Sequence, residues 1–162
     1  MYKVITLDYT KCTGCRICEI VCSTKKVKAS NPARSRIRVI KFDVDDTNVP
    51  MVCEQCDKAP CIDICPANAL SRDKNQGFTT IDYDKCIFCK FCVAVCPFGG
   101  MSIDYTEKRV IKCDLCQGDP ICVKFCEPGA LRFIEPNSAD SKTTLVSQKL
   151  SGALGGTISI VS

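Results

Sequence analysis

The arrangement of cysteines constrains the fold of this 162-residue chain more than any other feature. All 16 cysteines fall into four groups of four, and none is left over. The groups are Cys12, Cys15, Cys18 and Cys22; Cys53, Cys56, Cys61 and Cys65; Cys86, Cys89, Cys92 and Cys96; and Cys113, Cys116, Cys122 and Cys126. Repetition at this level predicts that one kind of local structure is built four times along the chain.

The spacing inside each group indicates what the thiols bind. Groups one and three read C-x2-C-x2-C-x3-C, a run in which three thiolates hold one iron-sulfur cubane and the fourth reaches a second. Groups two and four lengthen the second gap and carry a proline, Pro60 or Pro120, shortly before the third cysteine. Gly14 suits the positive φ that so tight a loop can require. The fourth ligand of each cubane must then come from a distant part of the chain.

Two other uses of clustered cysteines compete with this interpretation. A zinc-binding interaction module is the stronger rival, but all-thiolate zinc sites usually pair two C-x2-C knuckles instead of placing three cysteines in one run. Disulfides belong mainly to oxidising compartments. The N-terminus lacks the features of a secretory signal, and no apolar run is long enough to cross a bilayer, so we expect a cytoplasmic protein with reduced thiols.

The residue types needed for catalysis are scarce. The chain contains no histidine, which removes the commonest general base and any nucleophile that depends on one. The C-x3-C-x2-C motif of radical enzymes is also absent. A cubane with four thiolate ligands leaves no open iron site for a substrate. The sequence therefore predicts a non-catalytic protein that carries electrons.

Several short motifs resemble those of known iron-sulfur proteins. Two stretches look like the repeated halves of a two-cluster ferredoxin: Cys65-Pro66-Ala67-Asn68-Ala69-Leu70 and Cys96-Pro97-Phe98-Gly99-Gly100. With Cys53-Glu54-Gln55-Cys56 and Lys112-Cys113-Asp114-Leu115-Cys116 added, the pattern over residues 1–134 resembles the four-cluster iron-sulfur subunits of the dimethyl sulfoxide reductase family. This chain departs from that pattern after Cys22, where proline is missing, and after Cys126, where Pro128 stands one position late.

The resemblance implies an α+β fold in which two nested bacterial-ferredoxin-like units of short strands and helices surround four [4Fe-4S] clusters. The outer unit would span residues 1–52 and 105–134, and the inner unit residues 53–104. Carried over residue by residue, the four ligand sets are Cys12, Cys15, Cys18 and Cys126 (set one); Cys22, Cys113, Cys116 and Cys122 (set two); Cys53, Cys56, Cys61 and Cys96 (set three); and Cys65, Cys86, Cys89 and Cys92 (set four).

The same resemblance implies a role as an electron-transfer subunit that relays single electrons to or from a large catalytic partner. A tungsten or molybdenum oxidoreductase of the aldehyde type is the expected partner. Service to a hydrogenase, a carbon monoxide dehydrogenase or a formate dehydrogenase is the alternative. Further electron-transfer subunits or copies of the same chain are additional expected partners.

Two segments lie outside the cysteine pattern. Residues 23–41 are basic and contain no acidic residue, which favours a solvated loop or a docking surface for an acidic partner over a nucleic-acid site, since no aromatic residues interleave. Residues 135–162 form a C-terminal arm that begins with a polar linker. Its strand-like run Thr157-Ile158-Ser159-Ile160-Val161 is expected to contact a partner by adding to a sheet of another subunit.

Overall fold

The computed structural model describes residues 3–43, 46–73 and 77–135. Within these ranges the elements, in chain order, are β1 (Val4–Leu7), α1 (Ile17–Val27), β2 (Ile37–Phe42), β3 (Thr47–Val52), α2 (Pro60–Asp63), β4 (Leu70–Arg72), β5 (Thr79–Ile81), α3 (Phe91–Val95), β6 (Met101–Asp104), β7 (Arg109–Lys112), α4 (Ile121–Lys124) and β8 (Leu131–Ile134). This mixture of short helices and antiparallel strands confirms the predicted α+β class. The predicted C-terminal arm lies, apart from Glu135, outside the described residues.

The strands pair into four two-stranded antiparallel sheets. Three are hairpins formed by neighbours in sequence: β2 with β3, β4 with β5, and β6 with β7. The fourth joins the two ends of the described chain, because β1 pairs with β8 and Val4 lies opposite Ile134. This long-range pair joins the two segments assigned to the outer unit, while the division into nested units stays a prediction.

The buried side chains form two apolar clusters, and cysteines belong to both. The larger cluster is centred on Ile5, Ile37 and Leu115, and the smaller on Leu70 and Val110. Cys22, Cys113 and Cys122 are buried within the first, and Cys92 within the second. The thiols therefore occupy positions that aliphatic side chains hold in other small domains.

The segment after the last cysteine explains why group one differs from the other groups. In groups two, three and four a turn follows, and the residue three positions later is left-handed: Asn68, Gly99 or Gly129. Cys22 has no proline after it, so α1 continues to Val27 and ends at Lys28, whose left-handed backbone lets its N–H donate to the carbonyl of Thr24. The displaced Pro128 does not prevent the turn in group four.

Ion pairs connect the basic segment, residues 23–41, to the rest of the fold. Lys26 and Arg36 both bind the carboxylate of Asp114, at 2.7 and 3.3 Å. Arg34 binds Asp104 and Glu107, on the hairpin of β6 and β7. The expectation of a solvated or partner-facing surface is therefore wrong for these three cations, because they pair with carboxylates between residues 104 and 114. In the described ranges, no helix is both long enough and apolar enough to span a bilayer.

Asp104 is the most deeply buried carboxylate of these ion pairs, with its side chain 1% exposed. Its Oδ2 accepts from Nε of Arg34 at 2.8 Å, and its Oδ1 accepts from the backbone N–H of Thr106 at 3.0 Å. Burial alone would raise the pKa of Asp104, but these hydrogen bonds and the Arg34 charge hold it below its ordinary value. Asp104 therefore anchors Arg34 only in its ionised form.

We expect Asp104→Asn to destabilise the protein by about 1–3 kcal/mol at pH 7, because it removes the buried carboxylate that binds Arg34 and leaves only the more exposed Glu107. Because folding lowers the pKa of Asp104, the wild-type residue contributes its full stabilisation above about pH 3.9, the ordinary pKa of aspartate. That stabilisation is lost as the pH falls through the lower pKa of the folded state. Anaerobic guanidinium unfolding followed by circular dichroism measures both effects. Asp43→Asn is the matched control, since Asp43 is 89% exposed and the change should cost under about 0.5 kcal/mol. Equal losses in the two variants would contradict the expectation.

Candidate metal centres

Each cysteine group begins with the same backbone conformation. The second residue between the first two cysteines is left-handed in all four groups, with φ of 70° at Gly14, 54° at Gln55, 56° at Phe88 and 53° at Leu115. Only group one uses glycine, the residue that adopts this region without steric cost. The sequence pattern marked Gly14 for this reason, but it gave no sign that three side chains with a Cβ would accept the same geometry. The four loops therefore share one left-handed residue directly before their second cysteine.

Three cavities are each lined by four cysteines drawn from two different groups. One contains Cys12, Cys15, Cys18 and Cys126. Another contains Cys22, Cys113, Cys116 and Cys122. The third contains Cys65, Cys86, Cys89 and Cys92. These are sets one, two and four as named from the sequence, so the structure brings their members together; that each set ligates a cluster stays a prediction.

The members of set three influence one another's ionisation. The pKa of Cys56 is raised to about 11, chiefly by burial and also by the thiols of Cys53 and Cys96. Burial also raises the pKa of Cys61, with the same two cysteines adding to the effect. Cys96, which comes from group three, therefore lies near the three cysteines of group two, as the exchange of ligands between groups requires.

Neighbouring sets also interact, and the interactions give an order. The pKa of Cys122 is raised by burial and, among other thiols, by Cys18, which links set one to set two. The pKa of Cys113 is raised to about 12, chiefly by burial and in part by Cys53, which places set two near set three. The pKa of Cys92 is raised to about 11, chiefly by burial and in part by Cys61, which places set three near set four. Set one thus has set two as a neighbour, set two has set three, and set three has set four.

The donor chemistry of these cavities fits iron-sulfur cubanes. Burial and the repulsion between neighbouring thiolates disfavour the ionised form of these cysteines. Bound iron supplies the positive charge that stabilises the thiolate ligands. Four thiols around an apolar cavity match the ligand number of a [4Fe-4S] cluster, which when bound accepts or donates one electron. In the part of the chain that is described, no three histidine, cysteine or acidic side chains are grouped as a site for a single metal ion.

Backbone amides point at several of the sulfur atoms. The N–H of Ala69 donates to Sγ of Cys65, and that of Gly100 to Sγ of Cys96, both at 3.3 Å. The N–H of Arg36 donates in the same way to Sγ of Cys22 at 3.4 Å. The acceptors are the last cysteines of groups two, three and one. Such bonds favour electron-rich sulfur and are one of the means by which a protein sets a cluster potential.

Polar side chains that the sequence analysis missed hold the group two loop in place. Gln55 is 2% exposed, and its Nε2 donates to the carbonyl of Cys113 at 2.8 Å. Lys112 is 4% exposed, and its Nζ donates to Oε1 of Gln55 at 3.3 Å, to the carbonyl of Thr79 at 2.6 Å and to the carbonyl of Cys113 at 3.1 Å. Arg72 donates to the carbonyls of Gln55 and Cys56. No sequence periodicity marks these residues, because their partners are distant backbone atoms.

The loops and cysteine sets define the class of this molecule: a ferredoxin-like iron-sulfur protein. Residues 44–136, more than half of the chain, match the family described as a 4Fe-4S dicluster domain. The chain belongs to this family. The match includes groups two, three and four, whereas group one precedes it.

Several curated proteins are similar over most of the chain. The polyferredoxin-like subunit of the aliphatic sulfonate oxidoreductase of Pyrococcus furiosus is 42% identical, over 85% of this chain and 79% of that protein. The putative electron transport protein YsaA of Escherichia coli is 40% identical, over 83% of this chain and 91% of that protein. The beta subunit of the NADH-dependent phenylglyoxylate dehydrogenase of Aromatoleum evansii is 37% identical, over 82% of this chain and 30% of that protein.

These relatives settle the coarse function. They are named as electron transport proteins or as subunits of oxidoreductases, which supports a non-catalytic electron-transfer role for this chain. The predictions of [4Fe-4S] cofactors and of an electron-transfer iron-sulfur subunit are confirmed at that level.

Gly100 offers a test of how closely groups two and three must approach. A Cβ placed on Gly100 would lie 2.6 Å from the Cα of Cys53, a backbone atom that cannot rotate away. We therefore expect Gly100→Ala to displace Cys53 and to lower the iron content of the anaerobically purified protein, measured by elemental analysis. Gly129→Ala is the matched control, because nothing lies within 4 Å of the added Cβ and only its positive φ is strained. Full iron content in Gly100→Ala would contradict the expectation.

Proposed function

We propose that this protein holds four [4Fe-4S] clusters and relays single electrons between its surface and a catalytic oxidoreductase subunit. The clusters are ligated by the four sets named above, each with three cysteines from one group and one from another. The observation that carries the proposal is the lining of three cavities by four cysteines each, with no set drawn from a single group.

The order of the sets supports a conductive row. Set one contacts set two through Cys18 and Cys122, and set three contacts set four through Cys61 and Cys92. One-electron centres placed side by side transfer electrons through protein that would otherwise insulate them. Sets one and four form the ends of the row, so electrons enter at one of them and leave at the other.

The two ends of the row carry exposed apolar side chains. Ile87 beside set four is 67% exposed, and Phe125 beside set one is 53% exposed. Both side chains line the cavity of the set that they adjoin. A redox partner that covers either residue would bring its own centre near the end of the row.

The catalytic partner is proposed to be a tungsten or molybdenum oxidoreductase of the aldehyde type, with this chain as a four-cluster subunit of the dimethyl sulfoxide reductase family. The motifs around Cys65, Cys96 and Cys113 support that assignment, and so does the similarity to an oxidoreductase subunit from Pyrococcus furiosus. A hydrogenase, carbon monoxide dehydrogenase or formate dehydrogenase is the second candidate. The similarity to a protein named only for electron transport fits either partner.

Iron analysis of paired cysteine variants tests the exchange of ligands between groups. The wild-type protein, purified without oxygen, should contain about sixteen iron and sixteen sulfide per chain. Cys12→Ser with Cys126→Ser removes two ligands of set one and should cost about four iron atoms. Cys12→Ser with Cys22→Ser removes one ligand from each of two sets and should perturb two clusters, which EPR counts as two altered signals.

The alternative in which each group keeps its own cluster gives the opposite result. Cys12 and Cys22 would then share one cluster, and Cys12 and Cys126 would belong to two. Stoichiometric zinc without sulfide in the wild-type protein would sink the proposal and favour the interaction module. Brown colour with broad absorption near roughly 400 nm is the quick check for thiolate-ligated iron.

Anaerobic copurification from the native cell tests the partner. We expect the tagged protein to retain a large subunit together with tungsten or molybdenum, measured by mass spectrometry of the eluate. A large subunit that carries nickel in place of both metals would favour a hydrogenase or a carbon monoxide dehydrogenase, and formate oxidation by the eluate would favour a formate dehydrogenase. Removal of residues 136–162 should weaken this association if the arm contacts the partner, and unchanged recovery would count against the arm.

A further inference from the structure

Lys112 lies inside the proposed row of clusters. Its side chain leaves the last residue of β7 and is 4% exposed, which is rare for lysine without a charged partner close by. All three of its hydrogen-bond acceptors are uncharged oxygens, belonging to Gln55, Thr79 and Cys113. Neutral oxygens solvate an ammonium group but do not cancel its charge.

Within the described residues, Lys112 forms no ion pair with a carboxylate. A polar cavity of about 320 Å³ adjoins Lys112 and is lined by Asp73 and Asp114 among others. Asp114 is engaged by Lys26 at 2.7 Å and by Arg36 at 3.3 Å. The Lys112 ammonium therefore keeps a positive field that extends into the protein.

The Lys112 ammonium lies beside the loop that supplies set three. Gln55, which accepts a hydrogen bond from Lys112, stands between Cys53 and Cys56 in the loop that supplies this set. The Lys112 charge also acts on Cys61, where it opposes the rise in pKa that burial causes. Set three is an interior member of the row, so solvent screens this charge less than it would at either end.

We propose that the buried ammonium of Lys112 raises the reduction potential of the centre held by Cys53, Cys56, Cys61 and Cys96. Reduction adds one negative charge to that centre, and a fixed positive charge in a poorly screened interior stabilises the reduced form more than the oxidised form. The centre becomes the preferred resting place of an electron in the middle of the row. The inference rests on the proposed function, since it needs a cluster in set three.

The test is an anaerobic redox titration of the full-length protein followed by EPR. Lys112→Met removes the charge but keeps the length of the side chain, and it should lower the equilibrium constant for reduction of one centre at least about tenfold, or about 59 mV for one electron. Lys124→Met is the matched control. Lys124 lies two residues from the proposed ligands Cys122 and Cys126, but its side chain is 56% exposed, so its removal should leave all potentials close to wild type.

A second variant covers the case in which Lys112→Met does not assemble. Gln55→Glu places a carboxylate at the atom that accepts the hydrogen bond from Lys112, and it should lower the same potential. Lys112→Arg keeps the charge and should retain a potential near the wild-type value. Iron and sulfide are measured on every sample, so absence of clusters from the wild-type protein refutes the proposed function itself.

Two results overturn the inference alone. The first is fully loaded Lys112→Met or Gln55→Glu with potentials equal to those of Lys124→Met. The second is loss of iron from both Lys112→Met and Gln55→Glu while Lys124→Met stays loaded, which would assign the pair a structural role only.

Discussion

The rest of this structure depends on one constraint: cysteines from separate groups line the same cavities. A thiol buried among other thiols is poorly solvated and resists ionisation, so the folded chain is only fully satisfied when these positions hold positively charged iron. Because Cys126 shares a cavity with Cys12 and Cys96 lies near Cys56, the same neighbours that form the candidate centres also join distant parts of the chain. The hairpins and short helices serve mainly to place these sulfur atoms.

Ion pairs between distant residues also hold the chain together. Asp114, in the loop of group four, is bound by Lys26 and Arg36. Asp104, on the hairpin of β6 and β7, binds Arg34. These pairs cross between the segments that the cysteine sets also cross. The ion pairs and the cysteine sets therefore hold the same segments together. The apolar clusters of this protein are small and themselves include cysteines, so these additional interactions supplement them.

Features encoded locally were predictable from the sequence. The cysteine spacing predicted the ferredoxin-like iron-sulfur class that the family match confirms, while the ligand sets stay a prediction. Gly14 marked a left-handed turn because glycine has no Cβ to clash. The equivalent conformation at Phe88 and Leu115 was not predictable, since their strain is offset by packing that only the tertiary structure reveals. The ion pairs of the basic segment were missed for a similar reason: Arg34 and Asp104 are 70 residues apart, and charge patterning reports only near neighbours.

The pairing of the first strand with the last has a consequence for biogenesis. During synthesis β1 leaves the ribosome long before β8 exists, so Val4 to Leu7, all buried in the finished fold, wait without a partner until residues 131–134 are made. The interior hairpins need no such delay, because each strand meets its mate within a short stretch of chain. The β1–β8 pair can therefore form only after residues 131–134 are made, whereas the interior hairpins can form earlier.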